Sequence, residues 1–289
     1  MILVPVWFLL SLAPPKTAEG IMARVAVNQD RAQEMRTAYV YHQSAMIRLQ
    51  RSNGKLAREE YSEFTVTPTP KGIKKERTLF RGKYVAHNKE IAFDQPGFEY
   101  KSVDIDADLG RSLLDDFTDE KDARDGIAHD LFPLTSAEQS KYDFRLDGTE
   151  DYRGTAVYRI TFAPRKQRPG AVVGGEGEEQ GSWQGEVLVD QKEYQPVLVI
   201  SSLAEKIPAW VKVVLGTNVE HLGFKVSYQK FDDRLWFPVT YGGEFKIKAL
   251  FLYSRRIGIS LQNSGFQRAM VNTTVTYGGF PWLLMSFVR

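Results

Sequence analysis

The stretch 219–277 constrains the fold more than any other part of the chain. β-Branched and aromatic residues recur there in runs of about six to ten, broken at Asp232-Asp233, Gly242-Gly243 and Asn263-Ser264-Gly265. Residues of that kind fit a pleated surface, and breaks of that composition favour turns. The pattern predicts an antiparallel meander centred on Trp236-Phe237-Pro238-Val239-Thr240-Tyr241. A large sheet needs cover for its apolar face, and the upstream chain supplies it.

From Thr17 to about Tyr39 the period is helical. Ile21, Val25, Ala32, Met35 and Tyr39 fall on one face at 100° per residue, with Arg24, Asp30, Arg31 and Glu34 elsewhere. At Tyr39 the period switches to two, so that Tyr41, Gln43, Ala45, Ile47 and Leu49 share one side of a strand. Asn53-Gly54 is a hairpin signal, and 56–67 is the return strand. Further strands are expected over 73–80, as a weaker pair over 83–93 closed by Gln95-Pro96-Gly97, over 142–146 with a turn at Asp147-Gly148, and over 155–162. Segments 183–189 and 196–203 continue the alternation.

Between 104 and 139 the alternation fails. Leu113, Leu114 and Phe117 stand at helical spacing, and Thr135-Ser136-Ala137-Glu138 is a capping-box pattern, so a helical insertion over the sheet is expected. The link 126–134 carries Ile127, Leu131 and Phe132, which must be buried somewhere. Segment 165–182 holds five glycines among Glu and Gln and reads as a flexible hairpin loop within one domain. Segment 207–215, with Trp210, is short and strongly apolar, a helical turn or a flap.

Residues 1–13 form an apolar run of about a dozen residues, short for a membrane span and of the length of a secretory signal's core. No Lys or Arg precedes it, and Pro14-Pro15 follows, so cleavage nearer Ala18 is also open. The expected organisation is a signal peptide over 1–18, one half-barrel domain over 19–279 with its loop at 165–182, and a short apolar tail at 280–289.

Composition mostly removes chemistries. The chain has no cysteine, hence no disulfide, thiolate nucleophile, cysteine-based zinc site or cysteine for lipid attachment. Its 38 Lys and Arg nearly balance 36 Asp and Glu, with the signs mixed along the chain, so no global field favours nucleic acid. His42, His87, His129 and His221 are scattered, without the close spacing of metal ligands. Asp104, Asp106 and Asp108 resemble the start of a calcium loop but lack its terminal glutamate. No nucleophile elbow, Walker loop or dinucleotide fingerprint is present, and Glu176, Glu178 and Glu179 would repel phosphate from the glycine-rich segment. A carboxylate pair assembled from distant strands would leave no such signature, so a hydrolase stays a third alternative. The expectation is no enzyme, no catalytic residue, no metal and no cofactor.

The order of parts resembles a known group. A leader is followed by a helix entering Tyr39-Val40-Tyr41-His42-Gln43, then by the hairpin Asn53-Gly54-Lys55-Leu56-Ala57-Arg58. The link Ala128-His129-Asp130-Leu131-Phe132-Pro133-Leu134, the strand Trp183-Gln184-Gly185-Glu186-Val187 and Trp236-Phe237-Pro238-Val239-Thr240-Tyr241-Gly242-Gly243 complete it. Over 17–277 this layout is similar to the outer-membrane lipoprotein-sorting proteins, the LolA/LolB-like superfamily. The resemblance implies a mainly β fold with helices (α+β): a strongly curved antiparallel sheet forming an incomplete β-barrel, with an N-terminal helix and helical plug segments.

It also implies a non-enzymatic periplasmic carrier or binding protein, exported by its leader, whose partners are lipoprotein acyl chains or other lipids, with some association to the membrane. This chain is longer than the small periplasmic carriers and lacks the receptor type's lipidated cysteine. From apolar placement on strands and flap-like segments, Leu131, Phe132, Tyr158, Phe162, Val187 and Trp210 are the candidate groove residues. The alternative is an envelope interaction module whose sheet is filled by its own side chains and whose partner is another envelope protein.

Overall fold

The computed structural model describes residues 17–69, 72–100, 106–108, 132–165, 183–204, 218–231, 235–249 and 253–269. The leader, the helical stretch at 109–117, Leu131, the loop 166–182, the segment 207–215 with Trp210, and the tail 280–289 lie outside them. The elements in chain order are α1 (Ala18–Arg36), β1 (Tyr39–Arg51), β2 (Leu56–Thr69), β3 (Gly72–Ala86), β4 (Lys89–Phe93), α2 (Ser136–Gln139), β5 (Tyr142–Tyr152), β6 (Thr155–Pro164), β7 (Trp183–Asp190), β8 (Pro196–Leu203), β9 (Asn218–Phe231), β10 (Leu235–Ala249) and β11 (Tyr253–Arg268). Residues 106–108 are also helical.

All eleven strands belong to one antiparallel sheet of order β4-β3-β2-β1-β11-β10-β9-β8-β7-β6-β5. Every neighbouring pair is consecutive in sequence except β1 and β11, whose pairing joins the N-terminal hairpins to the meander. β4 and β5 are the two edges, and the chain between them is the connection 94–141. The sheet is therefore an up-and-down arrangement left open between β4 and β5.

One face is buried by alternation. On β1, Tyr41, Gln43, Ala45, Ile47 and Leu49 are buried while His42 and Arg48 are exposed. The register carries that face across the sheet. One row runs Leu146, Ile160, Val187, Val199, Val226, Tyr241, Leu261, Ala45, Ser62, Phe80, from β5 to β3. The next runs Phe144, Phe162, Gly185, Ser201, Phe224, Gly243, Ile259, Ile47, Glu60, Gly82, Phe93. Side chains of these rows and Ile21, Met22 and Val25 of α1 join one apolar cluster, which defines the inner face. In the second row large and small residues meet. The Phe93 ring lies where a Cβ on Gly82 would stand, and a Cβ on Gly243 would come 3.2 Å from the Phe224 ring. Aromatics seated over neighbouring glycines fill an inward-curving surface without crowding it.

α1 is capped by Thr17, whose hydroxyl accepts from Gly20 N at 3.1 Å. It buries Ala18, Ile21, Met22, Val25, Ala26, Gln29, Ala32 and Arg36, a broader face than the predicted stripe. Met35, expected on that face, is 38% exposed, and Tyr39 already belongs to β1.

Other expectations are corrected by local geometry. Segments 73–80 and 83–93 are one fifteen-residue strand followed by a hairpin at His87-Asn88, both at positive φ. Asp147-Gly148 lies inside β5 at a register shift, and the turn falls at Arg153-Gly154, again with positive φ at both residues. Gly242-Gly243 and Asn263-Ser264-Gly265 lie within β10 and β11. In each case the glycine serves a bulge or a close approach of strands where a chain reversal had been expected.

Two glycines on the outer face separate these roles. A Cβ at Gly242 would stand 2.2 Å from the Ile259 carbonyl oxygen, whereas one at Gly258 meets nothing within 4 Å. Gly242→Ala is expected to cost about 1–3 kcal/mol of unfolding free energy through forced backbone displacement. Gly258→Ala is expected to stabilise by about 0.5–1 kcal/mol through reduced unfolded-state entropy. Urea titrations of the two variants read both signs.

Candidate functional site

The inner face is the candidate site, because it presents a continuous apolar surface along an open sheet. Its strand residues come to it through the β period: Ile160 and Phe162 on β6, Val187 and Val189 on β7, Phe224 and Val226 on β9, Ile257, Ile259 and Leu261 on β11. Trp183 sets its ring edge to Phe224 at 4.8 Å between centroids, and Tyr142 does the same to Phe162 at 5.8 Å. Edge-to-face packing of this kind adds to simple burial.

Four of the six candidate groove residues fall within the described chain. Phe162 and Val187 lie in the inner-face rows, and Phe132 reaches the same cluster from the β4–β5 connection. Tyr158 packs against that cluster and stacks on Tyr194, with Arg24 of α1 over the Tyr194 ring at 4.8 Å. Burial and the neighbouring Tyr194 hydroxyl raise the Tyr158 pKa against the opposing pull of Arg24. Leu131 and Trp210 lie outside the described residues. Phe132, Phe162 and Val187 are all buried and belong to one cluster with Ile21, Met22 and Val25 of α1.

Pattern reading missed the polar contacts that hold α1 there. Asn28 donates from Nδ2 to the carbonyls of Glu193 and Tyr194 at 2.9 and 3.1 Å. Gln29 donates to Gln195 Oε1 at 2.6 Å and accepts from Arg36 at 3.0 Å. Arg36 donates from Nε to the Trp236 carbonyl at 2.7 Å. From α2, Gln139 donates to the Met22 carbonyl at 2.8 Å, and Ser136 donates to Asp30 at 2.5 Å. Gln29 and Arg36 sit seven apart at buried helix positions. That spacing is visible in the sequence, but polar residues on an apolar face identify no partner until the β7–β8 turn and β10 are placed beside them.

The face changes character along the strands. Near the start of β1, Gln43 donates to Tyr241 Oη at 2.6 Å and to Asn263 Oδ1 at 3.0 Å, while Asn263 donates to the Pro238 carbonyl at 3.0 Å. On the β2–β4 wing Arg58, 1% exposed, donates to Glu60 at 2.6 Å and to the Phe98 carbonyl at 2.6 Å, its guanidinium 4.8 Å from the Phe93 ring centre. Arg255 holds Asp106 through two hydrogen bonds of 2.8 and 3.1 Å. The Arg58 and Arg255 pairings supply partners to buried charge, as burial requires. Among the described residues no three His, Asp or Glu side chains are grouped to hold a metal ion.

At the rim, Glu193 accepts from Lys230 Nζ at 2.6 Å and from Trp236 Nε1 at 2.8 Å. Partial burial would raise its pKa, but these two donors outweigh it and hold the carboxyl below its ordinary value. Its stabilising contribution is complete above the ordinary carboxylate range and is lost as pH falls through the depressed value. The Lys230 and Glu193 side chains are 38% and 40% exposed, so the ion pair contributes roughly 0.2–1 kcal/mol. Chemical denaturation followed by Trp fluorescence should show that Glu193→Gln loses less stability than the parent between pH 5 and 3, by about that amount.

No protein-family model matches the chain, and no curated protein matches it in sequence. Among solved structures it is similar to a LolA superfamily protein from Nitrosomonas europaea, at 12% identity over 89% of this chain and 96% of that one, with a TM-score of 0.36. It is also similar to a DUF1329 family protein from Desulfovibrio piger, at 11% identity over 90% and 96% of the two chains, with a TM-score of 0.37. A third is the lipoprotein LppX of Mycobacterium tuberculosis, at 10% identity over 88% and 98%, with a TM-score of 0.26. The group resembled in the sequence thus reappears among the solved structures. At these identities and scores the likeness is one of layout, and the functional reading rests on the chain's own geometry.

Proposed function

We propose that this protein is a non-enzymatic carrier or binding protein for acyl-bearing lipids or lipoproteins, acting in the periplasm of a bacterial envelope after export by its N-terminal leader. One observation carries the reading: a continuous apolar inner face on a sheet left open between β4 and β5, covered by a helix and not by a second sheet. A closed barrel or a sandwich would bury such a face permanently. Here α1 is the plug, and residues 19–279 act as one unit around it. Phe132, Tyr158, Phe162 and Val187, with Leu131 and Trp210, are the proposed acyl contacts.

The contacts of α1 support its exchange. Its buried apolar positions include three alanines, Ala18, Ala26 and Ala32, and three of its polar anchors reach backbone carbonyls or one amide side chain. Hydrogen bonds to water replace such anchors at a small net cost, and an acyl chain replaces the apolar contacts at about 0.8 kcal/mol per buried CH2.

A second reading, an envelope interaction module without lipid, is favoured by one observation. β5 is eleven residues long and, among the described residues, is paired with a strand on one side only, which leaves a strand edge for a partner protein. Crosslinking in cells that captures a protein partner at β5, with no lipid recovered, would select that reading.

Native mass spectrometry of protein recovered from the envelope should show adducts that lipid extraction identifies as acyl chains. Recovery of ligand-free protein, with no uptake when acyl lipids are supplied, would overturn the carrier reading. The double variant Gln29→Ala/Arg36→Ala is expected to lose about 2–4 kcal/mol of stability and to take up a fluorescent acyl probe severalfold faster than the parent. Stopped-flow fluorescence measures the second effect, and an unchanged uptake rate would remove α1 as the plug.

A further inference from the structure

We propose that the outer face of the sheet carries a second binding site, distinct from the inner face, for a small anionic amphiphile: a phosphate or carboxylate on an alkyl chain. The site is a groove of about 580 Å3 across β8–β11 and β1, within the range of small-ligand clefts. Its floor is the backbone at Gly223, Gly242 and Gly258 on three neighbouring strands. Met46 and Ile200 stand at its two sides.

Curvature accounts for Gly242, whose Cβ would collide with backbone, but it does not account for Gly258. A side chain at 258 would enter open space, so the missing side chain gives the groove its depth without any packing requirement. Glycine inside a strand is costly, and close approach of a ligand to the backbone is one of its uses.

The charges specify the occupant. Lys225 and Arg256 are exposed at the groove, and among the described residues neither side chain has an ion-pair partner. Other arginines on this face are paired: Arg48, which also lines the groove, with Glu59, Arg145 with Asp147, and Arg159 with Glu150 and Glu186. One carboxylate, Glu244, also lines the groove, so the unpaired cations exceed it two to one. A second groove of about 600 Å3 adjoins at Ile200, Ser201 and Ser202 and extends over β5–β7, where Asp143, Arg145 and Glu186 leave no excess of cations. In the register Glu244 stands between Lys225 and Arg256, so the anionic group belongs against one of these two cations on the side away from Glu244, with the alkyl chain along the glycine floor.

The test is titration calorimetry of the full chain with dodecyl phosphate below its micellar concentration, alongside inorganic phosphate and dodecyltrimethylammonium. Dodecyl phosphate should show a binding step that neither of the other two shows. Gly258→Leu, which fills the floor, and Lys225→Gln/Arg256→Gln, which removes the cations, should each weaken it at least tenfold with little change in Tm. Inorganic phosphate binding as tightly would show a free-anion site and overturn the assignment. Equal binding of the alkylammonium, unchanged binding in the double variant, or no binding of dodecyl phosphate would each overturn it as well. Both variants lie on the outer face, and inner-face uptake of a dodecyl chain would be common to parent, variants and both alkyl ligands, so the outer site is read as the part of dodecyl phosphate binding that the variants lose and the alkylammonium lacks.

Discussion

The pairing of β1 with β11 is the constraint on which the rest depends. It joins residues more than 200 positions apart along twelve registered pairs, from Tyr39 with Arg268 to Arg51 with Arg255. Without it the chain would hold a four-stranded N-terminal sheet and a separate seven-stranded meander. Neither half alone would extend the apolar rows through ten or eleven strands. Two residues separate the end of α1 from the start of β1, so docking β1 against β11 also delivers α1 to the inner face. Closing so long a loop carries an entropic cost that must be met before the contacts form, and the buried Gln43–Asn263 pair across the two strands helps to fix their register.

Openness follows from the lengths of the edge strands. Closing the barrel would require β4 to pair with β5, but β4 has five residues and β5 has eleven. The connection between them is also far longer than a hairpin loop. It contributes Phe132 and Leu134 to the inner cluster and Gln139 to the flank of α1. The chain that might have closed the barrel instead covers part of its inside. Charge marks this edge strand: Asp143, Arg145 and Asp147 alternate with Phe144 and Leu146 along β5.

The fold was legible where period alone decides structure. Alternation along 39–49 marks the inner side of β1 because a strand has two faces and only one is buried. Thr17 and Thr135 announce helix starts because a side-chain oxygen is needed there for free amides. Glycine was misread, since the same residue serves turns, bulges and close strand approach. Asp147-Gly148 has the composition of a hairpin turn, yet Arg153-Gly154 turns the chain, and nothing local separates the two. For the candidate site, Phe162 and Val187 were legible as strand residues of the buried parity. The anchors Asn28, Gln29 and Arg36 were not, because their partners lie over 160 residues away. Nor was the outer groove, which is made of missing side chains on strands whose register sequence alone does not provide.

The two faces of the sheet use one design for opposite ends. On the inner face the Phe93 ring fills the space over Gly82, while at Gly185 and Gly243 a Cβ would meet the carbonyl of the neighbouring strand first, with the Phe224 ring next to Gly243. On the outer face Gly223, Gly242 and Gly258 have no large neighbour seated over them, and the space stays open to solvent. A sheet that coils inward strongly enough to wrap a helix is saddle-shaped, so its outer surface is hollowed along the strands. Curvature that gathers an apolar lining around α1 thus also creates a groove on the opposite side. On the proposed reading, the residues that line that groove decide whether it is a by-product of folding or a site. Gly258 and the unpaired Lys225 and Arg256 are features that curvature does not require.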